Sequence, residues 1–327
     1  MNLSPRLSIG LPVYNGERFL PQALECLLAQ TFGDFEIVIG DNASTDCTQA
    51  ICHDYMRRDP RIRYVRHGHN LGAVANCNRV FELSKTAPLF KWAAHDDLHR
   101  EAYLESCIRL LDDHPDVVLA HSGTAFIDEY DKPFSLDHET GAYIDPKTGI
   151  RQKADSPEVG DHASPVARFW QVLTGACWGT HAFGVIRREA LLQTRLLPNF
   201  AGSDRAMLAE LALLGRFKSS SDALFLRRLS GNGSWTLSRE ELKGYLSTDE
   251  MAYSRRARQL EAYFSTPRGK PIGRLDKLVC TAMVAAHCVK IAVQSLTGKD
   301  YEARTAAQRS VWRRQAGVLN DEHKVRS

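Results

Sequence analysis

Short apolar runs alternate along the chain with longer stretches whose apolar residues recur at helical spacing. Leu7-Ser8-Ile9-Gly10-Leu11-Pro12-Val13 is short and apolar, which predicts a strand over 7–13. Over 17–30, Phe19, Leu20, Ala23, Leu24, Leu27 and Leu28 form a stripe of helical period. Pro21 falls early in that helix, where a missing N–H costs least. The alternation continues with strands over 35–39, 62–65 and 89–94 and helices over 45–58, 72–83 and 101–111. A further strand opens 117–127, and Ser44 or Thr45 is the expected cap of the helix over 45–58. Strands and helices alternating through short connections predict an α/β fold, an open and mainly parallel sheet with helices on both faces.

Residues 128–165 break the pattern. They are rich in Asp, Pro and Gly and have little periodicity, so they read as a long excursion, a β-hairpin or a lid. A helix is expected from about Ser164 to Thr174, a strand over 178–186 and a helix over 204–214. An apolar stretch over 217–226 leads into the Gly-rich turn SGNGSW. Beyond Thr236 the pattern is helical, over 238–264, 274–296 and 301–318. This organisation divides the chain into a domain over 1–235, with halves 1–127 and 128–235, and a helical region over 236–327. Asp276, Lys277, His287 and Lys290 interrupt the apolar run of the middle helix, as in a packed helix rather than a membrane span. Arg304, Arg309, Arg313 and Arg314 make the last helix basic, which fits either a solvated face or peripheral contact with an anionic membrane.

Composition narrows the class. The 327 residues are 43% hydrophobic and 25% charged, an ordinary globular balance. A net charge of +3 argues against nucleic acid as a partner. The eight cysteines form no C-x-x-C pair and several fall inside predicted helices. With no apolar leader evident, they read as reduced thiols of a cytoplasmic protein rather than a disulfide framework or a structural zinc site.

In open parallel sheets ligands bind beyond the carboxyl ends of the strands. Tyr14-Asn15-Gly16 follows the first predicted strand, Asp41-Asn42-Ala43-Ser44 the second and His95-Asp96-Asp97 the fourth. The polar clusters thus converge on one edge. Asn15-Gly16 opens a helix, whose N-terminus favours phosphate, but neither G-x-G-x-x-G nor a P-loop is present. Asp41 can accept hydrogen bonds from a ribose or base, or can cap the next helix. His95-Asp96-Asp97 suits a hard divalent cation that bridges carboxylate to diphosphate, Mg²⁺ or Mn²⁺. Alternation along an extended chain would then aim Asp97 at the metal and Asp96 at a sugar hydroxyl. Two alternatives are zinc held by His95, Asp97 and His99, and Asp97 as a plain helix cap. Asp204, after Gly202-Ser203, is either a first-turn acid or a general base, and spacing does not decide between them.

Taken in order, the segments "LSIGLPVYNGERFLPQALECLLAQTFGDFEIVIGDNASTDCT", "NLGAVANCNRVFELS", "FKWAAHDDL" and "GSDRAMLAELALLGRF" resemble the family 2 glycosyltransferases of GT-A fold, over about residues 5–235. The resemblance implies inverting transfer of a sugar from a nucleotide-diphosphate donor, a UDP- or dTDP-sugar, to the hydroxyl of a glycan or glycolipid acceptor. It implies that Asp41 contacts the nucleoside base, that Asp96 lies near the ribose or donor sugar and that Asp97 binds the metal. Asp204 matches the catalytic base. Pro12, Val13, Tyr14, Asn15 and Asn70 match the nucleotide pocket, and Arg227 or Arg228 a diphosphate contact. The chain departs from the pattern at His95, where the family has an acid, at Ser203, where it has a second acid, and at Leu229, where it often has His. The resemblance also implies work in cell-surface glycan synthesis, in the cytoplasm or at the inner face of the plasma membrane. The rival classes are a nucleotidyltransferase, which would normally carry a Gly- and Arg/Lys-rich loop after the first strand, and a catalytically silent sugar-nucleotide-binding protein.

Overall fold

Strands β1 (Leu7–Val13) and β2 (Phe35–Asp41) are buried along almost their whole length, as strands covered by helices on both faces must be. In this computed structural model, which describes residues 4–84, 87–175, 179–229, 239–247 and 255–296, both faces are indeed covered. On one face lie α1 (Leu20–Leu28), α2 (Thr48–Arg58) and, beyond β3 (Ile62–Arg66), α4 (Tyr103–Asp113). On the other lie α3 (Ala73–Leu83), α5 (Pro165–Gly175) and α7 (Ser203–Leu214).

The main sheet has eight strands in the order β3-β2-β1-β4-β10-β6-β11-β5, where β4 is Leu89–Trp92, β5 Leu98–His99, β6 Val117–Ile127, β10 Val185–Arg187 and β11 Arg216–Arg228. Pairing is parallel from β3 to β4 and between β6 and β11, but β10 runs antiparallel to both neighbours and β5 antiparallel to β11. The sheet is therefore α/β and mixed. Strands from both sides of residue 128 interleave in it.

Three local expectations change. The strand expected over 178–186 is a 3₁₀ turn, Thr180–Phe183, followed by the short β10 and the single-turn α6 (Arg188–Leu191). The turn forms because Ala182 N–H bonds back to Gly179 and Gly184 N–H to His181, closing a loop that a strand would leave open. Trp178 lies outside the described residues. Helix α2 starts at Thr48, and neither Ser44 nor Thr45 caps it. Asp46 accepts from the Thr48 N–H at 3.0 Å and Glu17 from the Cys47 N–H at 3.0 Å, while Ser44 and Thr45 are bonded to Asn15. Asp97 does not cap the next helix, which begins only at Tyr103, because Leu98 and His99 pair with β11 first.

The excursion is a small antiparallel meander, β7 (Ser135–Asp137), β8 (Ala142–Ile144) and β9 (Arg151–Gln152). Its stem is stitched to α1 by Gln22–Asp131 and to the turn before α1 by Arg18–Glu129. After β11 come α8 (Arg239–Leu246), α9 (Arg255–Ser265) and α10 (Arg274–Leu296). Tyr263, Cys280 and Val284 are buried against the α5–α7 side of the sheet. Glu210 of α7, buried and paired with Lys270 at 2.7 Å and with Arg195, anchors this region. No helix among the described residues is long and apolar enough to cross a membrane. The SGNGSW turn and the helix expected over 301–318 lie outside the described residues.

Candidate active site

The carboxyl ends of β1 and β4, the N-termini of α3 and α7, the end of β11 and one face of α8 enclose a cavity of about 800 Å³. Pro12, Val13, Tyr14 and Asn15 enter it from the end of β1, and Asn70 from the loop before α3. Asn15 holds a left-handed conformation (φ 49°), and its side chain accepts from the Thr45 N–H at 2.9 Å. Asn70 accepts from Asn42 at 2.7 Å and from the Gly72 N–H at 2.8 Å. The loops after β1, β2 and β3 are thus cross-bonded into one rim.

His95, Asp96 and Asp97 line the cavity from the end of β4. Gly16 packs directly against this turn: a Cβ there would lie 2.5 Å from Val13 Cγ2 and 3.1 Å from the His95 ring. Asp97 is buried and accepts from the Arg228 N–H at 2.8 Å. Burial, reinforced by the charge of Asp96, pushes its carboxyl up to about 7. His99 points elsewhere, into the core, edge-on to Tyr103 and beside Phe225, so it does not join Asp97.

Arg227 and Arg228 both border the cavity. Arg228 is 1% exposed and its guanidinium is taken up within the protein. It donates to the Asp96 carbonyl at 2.8 Å, the Asp128 carbonyl at 2.9 Å and Gln22 at 3.1 Å, pairs with Asp131 at 2.7 Å and stacks over Phe19. Leu229, which stands where the resembling family often has His, is buried against Phe126 and Phe134.

Asp204 projects into the cavity from the first turn of α7, half-buried, across from Cys77 of α3. Burial, with the charge of Asp204 adding to it, pushes the Cys77 thiol up to about 12. A helix N-terminus is a favourable place for an acidic side chain such as Asp204. Asp41 is the one expected site residue that does not reach the cavity wall. It is fully buried, accepting from the Ser44 N–H at 2.8 Å and the Tyr64 hydroxyl at 2.6 Å, with Arg66 3.5 Å away.

Glu241, Gly244 and Tyr245 of α8 also line the cavity, as do Trp92 and Phe183. Nothing in their sequence context marks them, since they reach the site only through tertiary packing. Among the described residues no three His, Cys, Asp or Glu side chains converge as a metal site. A cation here would draw on Asp97, with Asp96 beside it, and take its remaining ligands from substrate phosphates and water. A buried carboxylate held partly protonated next to a second acid fits such an ion, whose charge would relieve both.

Residues 8–170 match the model of glycosyl transferase family 2. An uncharacterized glycosyltransferase of Rickettsia prowazekii is 32% identical over 129 residues, which cover 38% of each chain. The chain therefore spans well under two thirds of this curated relative. Two solved structures share the fold. One is TarS of S. aureus in complex with UDP-GlcNAc, at 17% identity and TM-score 0.57, covering 93% of this chain and 79% of that one. The other is mannosyltransferase PcManGT from Pyrobaculum calidifontis in complex with GDP-Man and Mn²⁺, at 14% identity and TM-score 0.52, covering 98% and 88%. With the family match carried by the β1-to-α5 segment and the architecture shared along nearly the whole length, the chain belongs to glycosyltransferase family 2 and has its GT-A fold.

Proposed function

We propose that the protein transfers a sugar from a nucleoside-diphosphate sugar to an acceptor hydroxyl, with inversion at the anomeric carbon. The observation that carries this is the division of acids in one cavity: Asp96 and Asp97 together at the end of β4, and Asp204 apart from them on α7. One pair suits a diphosphate and its counterion, and a separate carboxylate suits a proton. Tyr14, Asn15 and Asn70 form the nucleoside end, and a UDP- or dTDP-sugar is the expected donor. Complexes of fold neighbours with UDP-GlcNAc and with GDP-Man support the donor class. Asp41 fixes the Ser44 turn and Tyr64 behind that end, and any contact with the base is made from there.

Asp204 accepts the acceptor proton as the hydroxyl oxygen attacks from the face opposite the leaving diphosphate. A single base suffices for one inverting displacement. Mg²⁺ or Mn²⁺, when bound at Asp97, would supply positive charge against the leaving diphosphate, and the Mn²⁺ complex of a fold neighbour supports this. Arg227 supplies further positive charge at the same rim, while Arg228 holds the Asp96-Asp97 turn in place. A glycan or glycolipid is the proposed acceptor, met in the cytoplasm or at the inner membrane face through peripheral contact.

Asp204→Asn tests the base. UDP and GDP affinity, measured by calorimetry with Mn²⁺, should stay within about twofold of wild type. Release of UDP from UDP-GlcNAc, or of GDP from GDP-mannose, should fall at least about 10²-fold. Unchanged turnover would place the base elsewhere, and lost nucleotide binding would make Asp204 structural.

A further inference from the structure

The Asp204 carboxylate rests on a bare backbone. Gly179 takes a left-handed conformation (φ 65°), and a Cβ on it would lie 2.3 Å from Asp204 Oδ2 and 2.9 Å from Cγ. Gly179 leads directly into the 3₁₀ turn Thr180–Phe183. That turn is held from the far side by the loop between the meander and α5. Asp155 Oδ2 accepts from the Thr180 N–H at 2.9 Å and from its hydroxyl at 3.1 Å. The Asp155 side chain is 0% exposed. His181, buried as well, bonds through Nε2 to the Ser156 carbonyl at 3.2 Å, which puts the ring proton on that nitrogen. Its Nδ1 lies 3.7 Å from Asp155, and its ring stands edge-on to His121 at 4.3 Å. The other end of the turn is fixed too, since the Phe183 carbonyl accepts from Lys91 and, at 2.8 Å, from the Tyr103 hydroxyl.

A dry carboxylate and two buried imidazoles are costly to keep away from water. They are spent on one short turn, and that turn supports the carboxylate assigned as the base. Neither Asp155 nor Thr180 lines the cavity. We propose that Asp155 is a positioning residue: through Thr180 it sets the place of Gly179, and through Gly179 the place of the Asp204 carboxylate relative to the acceptor hydroxyl. This rests on the reading of Asp204 as the base. It follows that the excursion over 128–165 acts on the proton-transfer step from behind the cavity, in addition to any part it has in shaping the acceptor end. A displacement of about 1 Å at a reacting group can cost about 10²-fold in rate, while donor binding, at the β1 and β4 ends, is untouched.

Three variants of the full chain test this: Gly179→Ala, Thr180→Val and Thr180→Ser. The readouts are kcat and KM for UDP release from UDP-GlcNAc or GDP release from GDP-mannose, and UDP or GDP affinity with Mn²⁺. In Gly179→Ala the new methyl pushes the carboxylate aside, and kcat should fall about 10²-fold. Thr180→Val should lose about tenfold in kcat, with donor KM and nucleotide affinity within about twofold, and Thr180→Ser should restore most of it. Circular dichroism checks folding, and Gly179→Ala decides the matter if Thr180→Val does not fold. Wild-type kcat in Gly179→Ala, no rescue by serine, or a parallel loss of nucleotide affinity would overturn the proposal. If Asp204→Asn is inactive while Gly179→Ala and Thr180→Val stay active, only this inference fails. If Asp204→Asn is active, the base assignment itself has failed.

Discussion

Arg227 and Arg228 are adjacent on β11 and opposite in circumstance. Arg227 is half-buried at the cavity rim. Arg228 is buried and bonded to the backbone of Asp96 and Asp128. Arg228→Met would leave those buried carbonyls without their donor, while Asp131, about half exposed, turns to water, so a loss of ~2–3 kcal/mol in urea denaturation is expected. Arg227→Met should leave stability within about 1 kcal/mol of wild type and weaken UDP or GDP binding about tenfold, read by calorimetry. Equal effects on stability would mean that the two arginines share one role. Sequence could not choose between them. Strand residues alternate in direction, and which of two neighbours turns inward depends on the β6–β11 register, which shifts at three places. Asp41 shows the same limit: an acid at a strand end looks alike whether it faces a ligand or, as here, Ser44 and Tyr64. Asp96 and Asp97 could be placed at the cavity from sequence because they end an apolar run at an edge where the fold collects ligands, whereas Asp204, which opens α7 after Gly202-Ser203, was singled out only by the resemblance.

Among the elements, β4 carries the least expected residue. Lys91 is fully buried in it, with its ammonium near the Tyr103 ring and bonded to the Trp92 carbonyl at 3.1 Å. Burial pushes its pKa down to about 7. The sign follows from proton counts. Between about pH 7 and the unfolded value near 10.4, the unfolded chain holds the proton more often than the native one, so stability from this group rises with pH across that window. Below about pH 7 both states are protonated and the full cost of burying the charge remains. Lys91→Met should remove this slope. The wild type should gain on the variant by up to about 1.4 kcal/mol per pH unit between pH 7 and 9 in urea titrations. Parallel curves would mean that Lys91 stays charged throughout. Long elements such as α1 and β2 were legible because periodicity needs length. The two-residue β5 and three-residue β10 carry no period, and their antiparallel pairing is set by partners far away in sequence.

At the scale of the molecule, the cavity is assembled from segments as distant as Pro12 and Tyr245. The order of motifs from β1 to α7 could be read from the chain. That α8 closes the cavity, and that α9 and the turn after it brace α7 through Arg195, Glu210 and Lys270, could not, because only tertiary contact links them. A ligand that touches so many elements stabilises them together. UDP or GDP with Mn²⁺ at about 100 times its Kd should add ~2.7 kcal/mol, which for a chain of 327 residues raises Tm by about 4 °C. EDTA should remove the part that depends on the cation. In Asp97→Asn the Mn²⁺-dependent part should vanish while the nucleotide-only part remains. The apo variant should be no less stable than wild type above pH 7, where the native Asp97 must ionise in a buried place. A Tm unmoved by UDP, GDP and dTDP alike would remove the nucleotide from this cavity. A shift equal with EDTA and with Mn²⁺ would leave Asp97 to the sugar and the leaving diphosphate to Arg227.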